Sequence, residues 1–198
     1  MISVNDYAKV YVVTVEGEVE RQEHCTEQLS KHNIDFEFSI TRKPKRPLRG
    51  LSLGATGCHN GHKQAIMKGS LSRAENVLIL EDDVVLCEDF NERFDSFINE
   101  VGDRKFNVLS LGYDIQNSKT EHKVLSDTLL KLNHCWAGQS YIIPKYRIQY
   151  LISLYNKRQL IPDWYLSKYL ISGYGIYAPY PAMTKQALFD SLLLGVSP

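Results

Sequence analysis

Val77-Leu78-Ile79-Leu80-Glu81-Asp82-Asp83 joins the most apolar run of the chain to three consecutive carboxylates. Four aliphatic residues in a row predict a buried strand. Open α/β sheets bind their ligands beyond the carboxyl ends of their strands, which is where these carboxylates fall. Strand alternation places Glu81 and Asp83 on one face and Asp82 on the other. Adjacent negative charges repel, and partial burial without a partner costs several kcal/mol, roughly, so a cation is the natural compensation. Hard oxygen donors suit Mg²⁺ or Mn²⁺. A solvated acidic turn after a strand is the competing reading, and these residues alone leave both open.

Outward from this stretch, strands and helices alternate. Val10 to Val15 is β-branched and predicts a strand, broken by Gly17. Glu18 to Lys31 reads as a helix, Asp35 to Ile40 as a strand, Thr56 to Ser72 as a helix, and Asp89 to Val101 as another. Asn107 to Gly112 and Gln139 to Ile143 read as strands, the latter stopped by Pro144. Lys145 to Asn156 is helical, and Pro162-Asp163-Trp164 opens a short helix. Gln116 to Thr128 reads as an exposed loop or irregular hairpin, and Gly173 to Pro181 as a Tyr/Gly/Pro-rich segment. This order predicts an α/β fold with a mostly parallel sheet flanked by helices. With no repeat and no dividing linker, a single domain over residues 1–198 is expected.

Composition narrows the function. The 198 residues are 43% apolar, and 23 basic residues balance 23 acidic ones. Zero net charge supplies no global field for nucleic acid or an anionic membrane. The basic loop Arg42–Gly50 could touch phosphates, but its prolines and glycine make it a solvated loop by default. No signal-peptide pattern and no membrane-length apolar stretch is seen, so a cytoplasmic placement is expected, or a peripheral one at the inner membrane face. Cys25, Cys58, Cys87 and Cys135 are widely spaced and read as reduced thiols. No CxxC pattern or Cys/His ligand pair stands out, which disfavours zinc.

Several segments then fall into a recognisable order. Gly54-Ala55-Thr56-Gly57-Cys58 and His62 precede Leu80-Glu81-Asp82-Asp83-Val84. Val108 to Gly112, Gly138-Gln139-Ser140-Tyr141-Ile142-Ile143, Ile161-Pro162-Asp163 and Pro181 to Gln186 follow. This set resembles glycosyltransferase family 25, the lipooligosaccharide-type and collagen-galactosyltransferase-like enzymes. The chain departs from the family pattern at Gly61, where a serine is usual, and at Val13-Thr14-Val15, where an Asn-Leu pair is usual.

The resemblance implies a GT-A-type fold, a UDP-hexose donor carrying galactose or glucose, and Mn²⁺ or Mg²⁺. It implies inverting transfer to a hydroxyl of a glycan, lipooligosaccharide or protein acceptor. Inversion by direct displacement needs a base for the acceptor hydroxyl. Asp163 is the leading candidate, with a helix cap as its plain alternative, and Asp114 is the second. Glu81 and Asp83 are expected to hold the metal. Arg21, Thr14, Gly57, His62, Asp82 and Gln186 are expected to face the donor, although a surface ion pair, a structural histidine and an exposed helical glutamine are the ordinary roles of Arg21, His62 and Gln186. Trp164 and Trp136 are expected to stack on acceptor sugar. A catalytically inactive nucleotide-sugar or glycan-binding relative is the alternative. A metal-dependent phosphoesterase would need more converging carboxylates and histidines than the sequence offers.

Overall fold

A computed structural model describes residues 1–113, 122–133, 135 and 138–187. Asp114, Trp136 and the 116–121 part of the polar segment lie outside them.

The chain enters through a one-turn helix, α1 (Val4–Tyr7), and then forms β1 (Lys9–Val15), α2 (Val19–Lys31), β2 (Glu37–Thr41), α3 (Leu53–Leu71) and β3 (Asn76–Glu81). There follow β4 (Val84–Leu86), α4 (Phe90–Val101), β5 (Val108–Ser110), β6 (His122–Val124), β7 (Leu129–Leu132), β8 (Ser140–Pro144) and α5 (Lys145–Lys157). The chain continues through α6 (Pro162–Tyr165), a π-helical turn at Leu166–Leu170, β9 (Ile176–Pro179) and β10 (Thr184–Gln186).

Eight strands form one sheet in the order β2-β1-β3-β8-β5-β9-β7-β6. Its neighbours pair parallel at β1/β2, β1/β3 and β5/β9 and antiparallel elsewhere. Following these pairings across the sheet, only β8 and β7 run against the other strands, so the expected mostly parallel sheet is present. β4 and β10 form a separate antiparallel ribbon.

Alternation along the strands explains the layers. Val10, Val12, Leu78 and Leu80 face one core, with Cys25 and Leu29 of α2 and Phe90, Phe94 and Phe97 of α4. Tyr11, Val13, Val77 and Ile79 face the other, with Ala65 and Ile66 of α3 and Ile148 and Leu151 of α5. A sheet covered on both faces needs continuous apolar strands, which is why β1 and β3 show no polar alternation. α3 approaches the sheet closely. A Cβ on Gly69 would lie 2.8 Å from Val77 Cγ2, and one on Gly61 would lie 2.4 Å from Val13 Cγ1.

The connections define where a ligand can sit. β1 reaches β2 through α2 on one face, and β2 reaches β3 through α3 on the other. The parallel strands β1 and β3 therefore flank a topological switch point, and their carboxyl ends open on a crevice. Thr14 and Val15 end β1 there, and Glu81 ends β3.

α1, β4 and β7 are absent from the sequence reading, and three further elements differ from it. Gly173 to Pro181 contains β9, whose four residues are all buried. Gln186 stands on strand β10, not on a helix. α3 begins at Leu53 rather than Thr56, because Ser52 caps it by accepting the Ala55 N–H at 3.1 Å.

Candidate active site

A cleft of about 460 Å³ lies at the switch point. Thr14, Arg21, Gly57, His62, Glu81, Asp82, Asp83 and Gln186 all line it, so the structure brings together every expected metal and donor residue. The first turn of α3 adds Leu53 and Gly54, and the Arg42–Gly50 loop adds Lys43 and Pro44.

Asp82 and Asp83 leave the strand register. β3 stops at Glu81, and the next two residues form the turn into β4. The expected alternation of faces therefore does not reach them. Arg21 Nη1 lies 2.6 Å from Asp82 Oδ1 and 3.4 Å from Asp83 Oδ2. Thr14 donates its hydroxyl to Asp82 Oδ2 at 2.6 Å, so both oxygens of Asp82 are engaged. Asp83 Oδ1 is buried without a hydrogen-bond partner. Burial, then the charge of Glu81, pushes the Asp83 carboxyl up to about 7 despite Arg21. Ala187 donates its backbone N–H to the Asp83 carbonyl at 2.7 Å. That bond and the β4/β10 ribbon tie the chain's late segment to the acidic turn.

Glu81 belongs to a different cluster. His62 Nε2 is 3.0 Å from Glu81 Oε1, and the Cys58 thiol donates to the same oxygen at 3.7 Å. Gln186 Nε2 donates to Glu81 Oε2 at 3.2 Å. Burial alone would raise the Glu81 carboxyl; His62, Cys58 and Arg21 outweigh it and hold the group below its ordinary value. His62 is fully buried, and its Nδ1 meets the Tyr141 hydroxyl at 2.7 Å. Both of its nitrogens are thus engaged, and a direct donor contact would have to displace one partner. Cys58 and Tyr141 are quoted in the sequence pattern but given no role in the site there. The signal for Cys58 is its spacing of four from His62 on one helix, which places both on the same face.

Asp163 does not cap α6. Its Oδ1 accepts the Gly138 N–H at 2.6 Å instead. Gly138 permits this approach, since a Cβ there would lie 2.8 Å from Asp163 Oδ1 and 2.7 Å from Pro162 Cβ. Burial, then the charge of Glu81, raises the Asp163 carboxyl to about 6, against the pull of the Gly138 N–H. Asp163 lies outside the lining of the cleft. Trp164 beside it is 36% exposed, with the Lys168 ammonium 3.9 Å from its ring centroid.

The sequence matches glycosyltransferase family 25 (LPS biosynthesis protein) over residues 7–166. The chain belongs to this family. It is a glycosyltransferase with a GT-A-like fold. A UDP-glucose pyrophosphorylase complexed with UDP-glucose is similar in structure, with a TM-score of 0.50 at 13% identity, covering 93% of this chain and 76% of that one. A glycosyltransferase involved in the glycosylation of the major capsid of PBCV-1 gives 0.49 at 14% identity over 81% and 75%. The galactosyltransferase LgtC, in complex with donor and acceptor sugar analogs, gives 0.43 at 11% over 76% and 64%. Among curated proteins no match is found. Among the described residues no helix is long and apolar enough to cross a membrane.

At Gly61, where the resemblance leads one to expect a serine, the helix meets the sheet closely. α3 lies so close to β1 that a side chain at 61 would drive into Val13.

Proposed function

We propose that this glycosyltransferase is metal-dependent and inverting, and that it moves a hexose, galactose or glucose, from a UDP-sugar to a hydroxyl of a glycan, lipooligosaccharide or protein acceptor. The observation that carries this reading is the unpartnered Oδ1 of Asp83, buried in a cleft that gathers three carboxylates. An all-oxygen set with one orphaned acceptor fits Mn²⁺ or Mg²⁺, and Asp83 and Glu81 would hold the ion. When bound, such a cation supplies the positive charge that offsets charge developing on a leaving diphosphate.

The chain's own groups account for the other requirements. The first turn of α3 lines the cleft, and helix N-termini favour phosphate. Arg21 and Thr14 fix Asp82, whose remaining lone pairs can accept from donor hydroxyls. Gly57 keeps the cleft wall low beside Pro44, His62 holds one oxygen of Glu81, and Gln186 donates to the other. Asp163 takes the acceptor proton when ionised, and Asp114 is the second candidate for that role. Trp164 and Trp136 offer flat apolar faces to acceptor sugar.

Thermal unfolding with UDP, GDP, ADP and CMP, each with Mn²⁺ or EDTA, tests the reading. Ligand at about 100 times its Kd stabilises a fold by roughly 2.7 kcal/mol. A rise specific to UDP plus Mn²⁺, followed by UDP release from UDP-galactose or UDP-glucose, is expected. Equal unfolding temperatures under all conditions would overturn it.

A further inference from the structure

Cys58, His62 and Glu81 bring a thiol, an imidazole and a carboxylate to one point of the cleft wall. Their ligand atoms all lie within 4.8 Å of one another. Tetrahedral zinc with ordinary bond lengths places its nitrogen and oxygen ligands about 3.4 Å apart, and its sulfur and oxygen ligands about 3.6 Å apart. The corresponding separations here are 3.0 Å from His62 Nε2 to Glu81 Oε1 and 3.7 Å from Cys58 Sγ to the same oxygen. These two edges need movements of a few tenths of an ångström, and the third, from Cys58 Sγ to His62 Nε2, lies within 4.8 Å against about 3.6 Å for the bound ion.

The supporting shell also suits a metal. A cation on His62 Nε2 needs the ring proton on Nδ1, and there the Tyr141 hydroxyl stands at 2.7 Å. The two rings lie nearly parallel, 8° apart, which holds the imidazole plane. Partners of this kind orient metal-bound histidines. All three residues line the cleft.

The donor chemistry separates this site from the oxygen set of Asp83. Sulfur and imidazole select a thiophilic ion such as Zn²⁺ over Mn²⁺ or Mg²⁺. We propose that Cys58, His62 and Glu81 form a binding site for Zn²⁺ or a similar thiophilic cation, which draws Glu81 away from the hard-cation site and blocks transfer. On binding, the Cys58 thiol gives its proton to solvent and the thiolate becomes a ligand. The metal site stands on its own geometry; only the block on transfer rests on the function proposed above.

Cobalt spectroscopy of the EDTA-stripped protein is the test. One equivalent of Co²⁺ should give a thiolate-to-cobalt charge-transfer band with tetrahedral d–d intensity, and Zn²⁺ should bleach it. Cys58→Ser should remove the band, whereas Cys87→Ala, at a half-buried thiol elsewhere, should keep it. X-ray absorption of the zinc-loaded wild type should show one sulfur ligand, a readout independent of how the variants fold. Zinc inhibition of Mn²⁺-supported transfer should weaken in Cys58→Ser by about tenfold or more. A wild-type spectrum without a thiolate band, or a band that survives Cys58→Ser, would overturn the site. A flat UDP/Mn²⁺ unfolding panel would instead sink the transferase details and leave the zinc site standing.

Discussion

Arg21 and Asp82 form a nearly buried ion pair at the switch point of the sheet, 2.6 Å between Nη1 and Oδ1, with side chains 11% and 7% exposed. The same nitrogen reaches Asp83 at 3.4 Å. One guanidinium from α2 therefore restrains two carboxylates at the end of β3. Removing one partner of a buried pair leaves the other uncompensated, at a cost of about 3–5 kcal/mol where water is excluded. The cleft admits water, so about 2–3 kcal/mol is expected for Arg21→Ala. Thermal unfolding in EDTA should show this loss, and Mn²⁺ should restore part of it. An unchanged unfolding temperature in EDTA would mean that the cleft tolerates its carboxylates without Arg21.

Asp83 makes the metal-free fold sensitive to pH. Its folded value, about 7, lies above the unfolded carboxyl value of about 3.9. Between those values the folded state binds more protons, so stability falls as pH rises from about 4 to about 7 and then levels. Asp163, raised to about 6, adds a decline in the same direction over the lower part of that window. Asp83→Asn should flatten the upper part and unfold at a higher temperature than wild type at pH 8 in EDTA, by about 2–4 °C per kcal/mol recovered. The same substitution should remove most of the stabilisation by Mn²⁺. Parallel pH profiles for the two proteins would refute the assignment.

The parts legible in the sequence are those whose cause is local. β1 and β3 announce themselves because a strand covered on both faces must be apolar throughout, and the carboxylates after Leu80 stand out because they end such a strand. The strand β10 is three residues long and pairs with β4 about a hundred positions earlier, so no period reveals it. Asp163 shows the same limit. Its neighbours suggest a helix cap, but its partner is the backbone of Gly138, twenty-five residues away. Alternation misplaces Asp82 and Asp83 because the strand ends one residue too soon. The Cys58–His62 spacing is visible, yet it acquires meaning only when β3 delivers Glu81 beside it.

The Gly138–Asp163 contact predicts two separable effects. Asp163→Asn keeps an oxygen for the Gly138 N–H and should fold normally; with Asp163 as the proposed base, the variant cannot take the acceptor proton, so kcat should fall by at least about 10²-fold. In the wild type, kcat should rise with pH through about 6, as Asp163 ionises. Gly138→Ala would press a methyl against Asp163 and Pro162, and overpacking of this kind costs about 1–3 kcal/mol. It should lower both stability and kcat. An Asp163→Asn protein with wild-type turnover would move the base to Asp114 or elsewhere.

Gly61 and Val13 provide a test of packing between α3 and β1. A Cβ on Gly61 would sit 2.4 Å from Val13 Cγ1, a separation that cannot persist without movement of the Val13 side chain, α3 or β1. Gly61→Ser should therefore destabilise by about 1–3 kcal/mol, even though serine is the better helix former. Val13→Ala alone should also destabilise, because it empties core volume between α3 and the sheet. Combined, the two changes should cost less than their sum, since the new side chain enters the space that Val13 leaves; contacting pairs couple by about 0.5–3 kcal/mol. Denaturant unfolding of the four proteins closes the cycle. Strict additivity would mean that helix and strand separate freely, and that Gly61 is present for a reason other than the approach of α3 to β1.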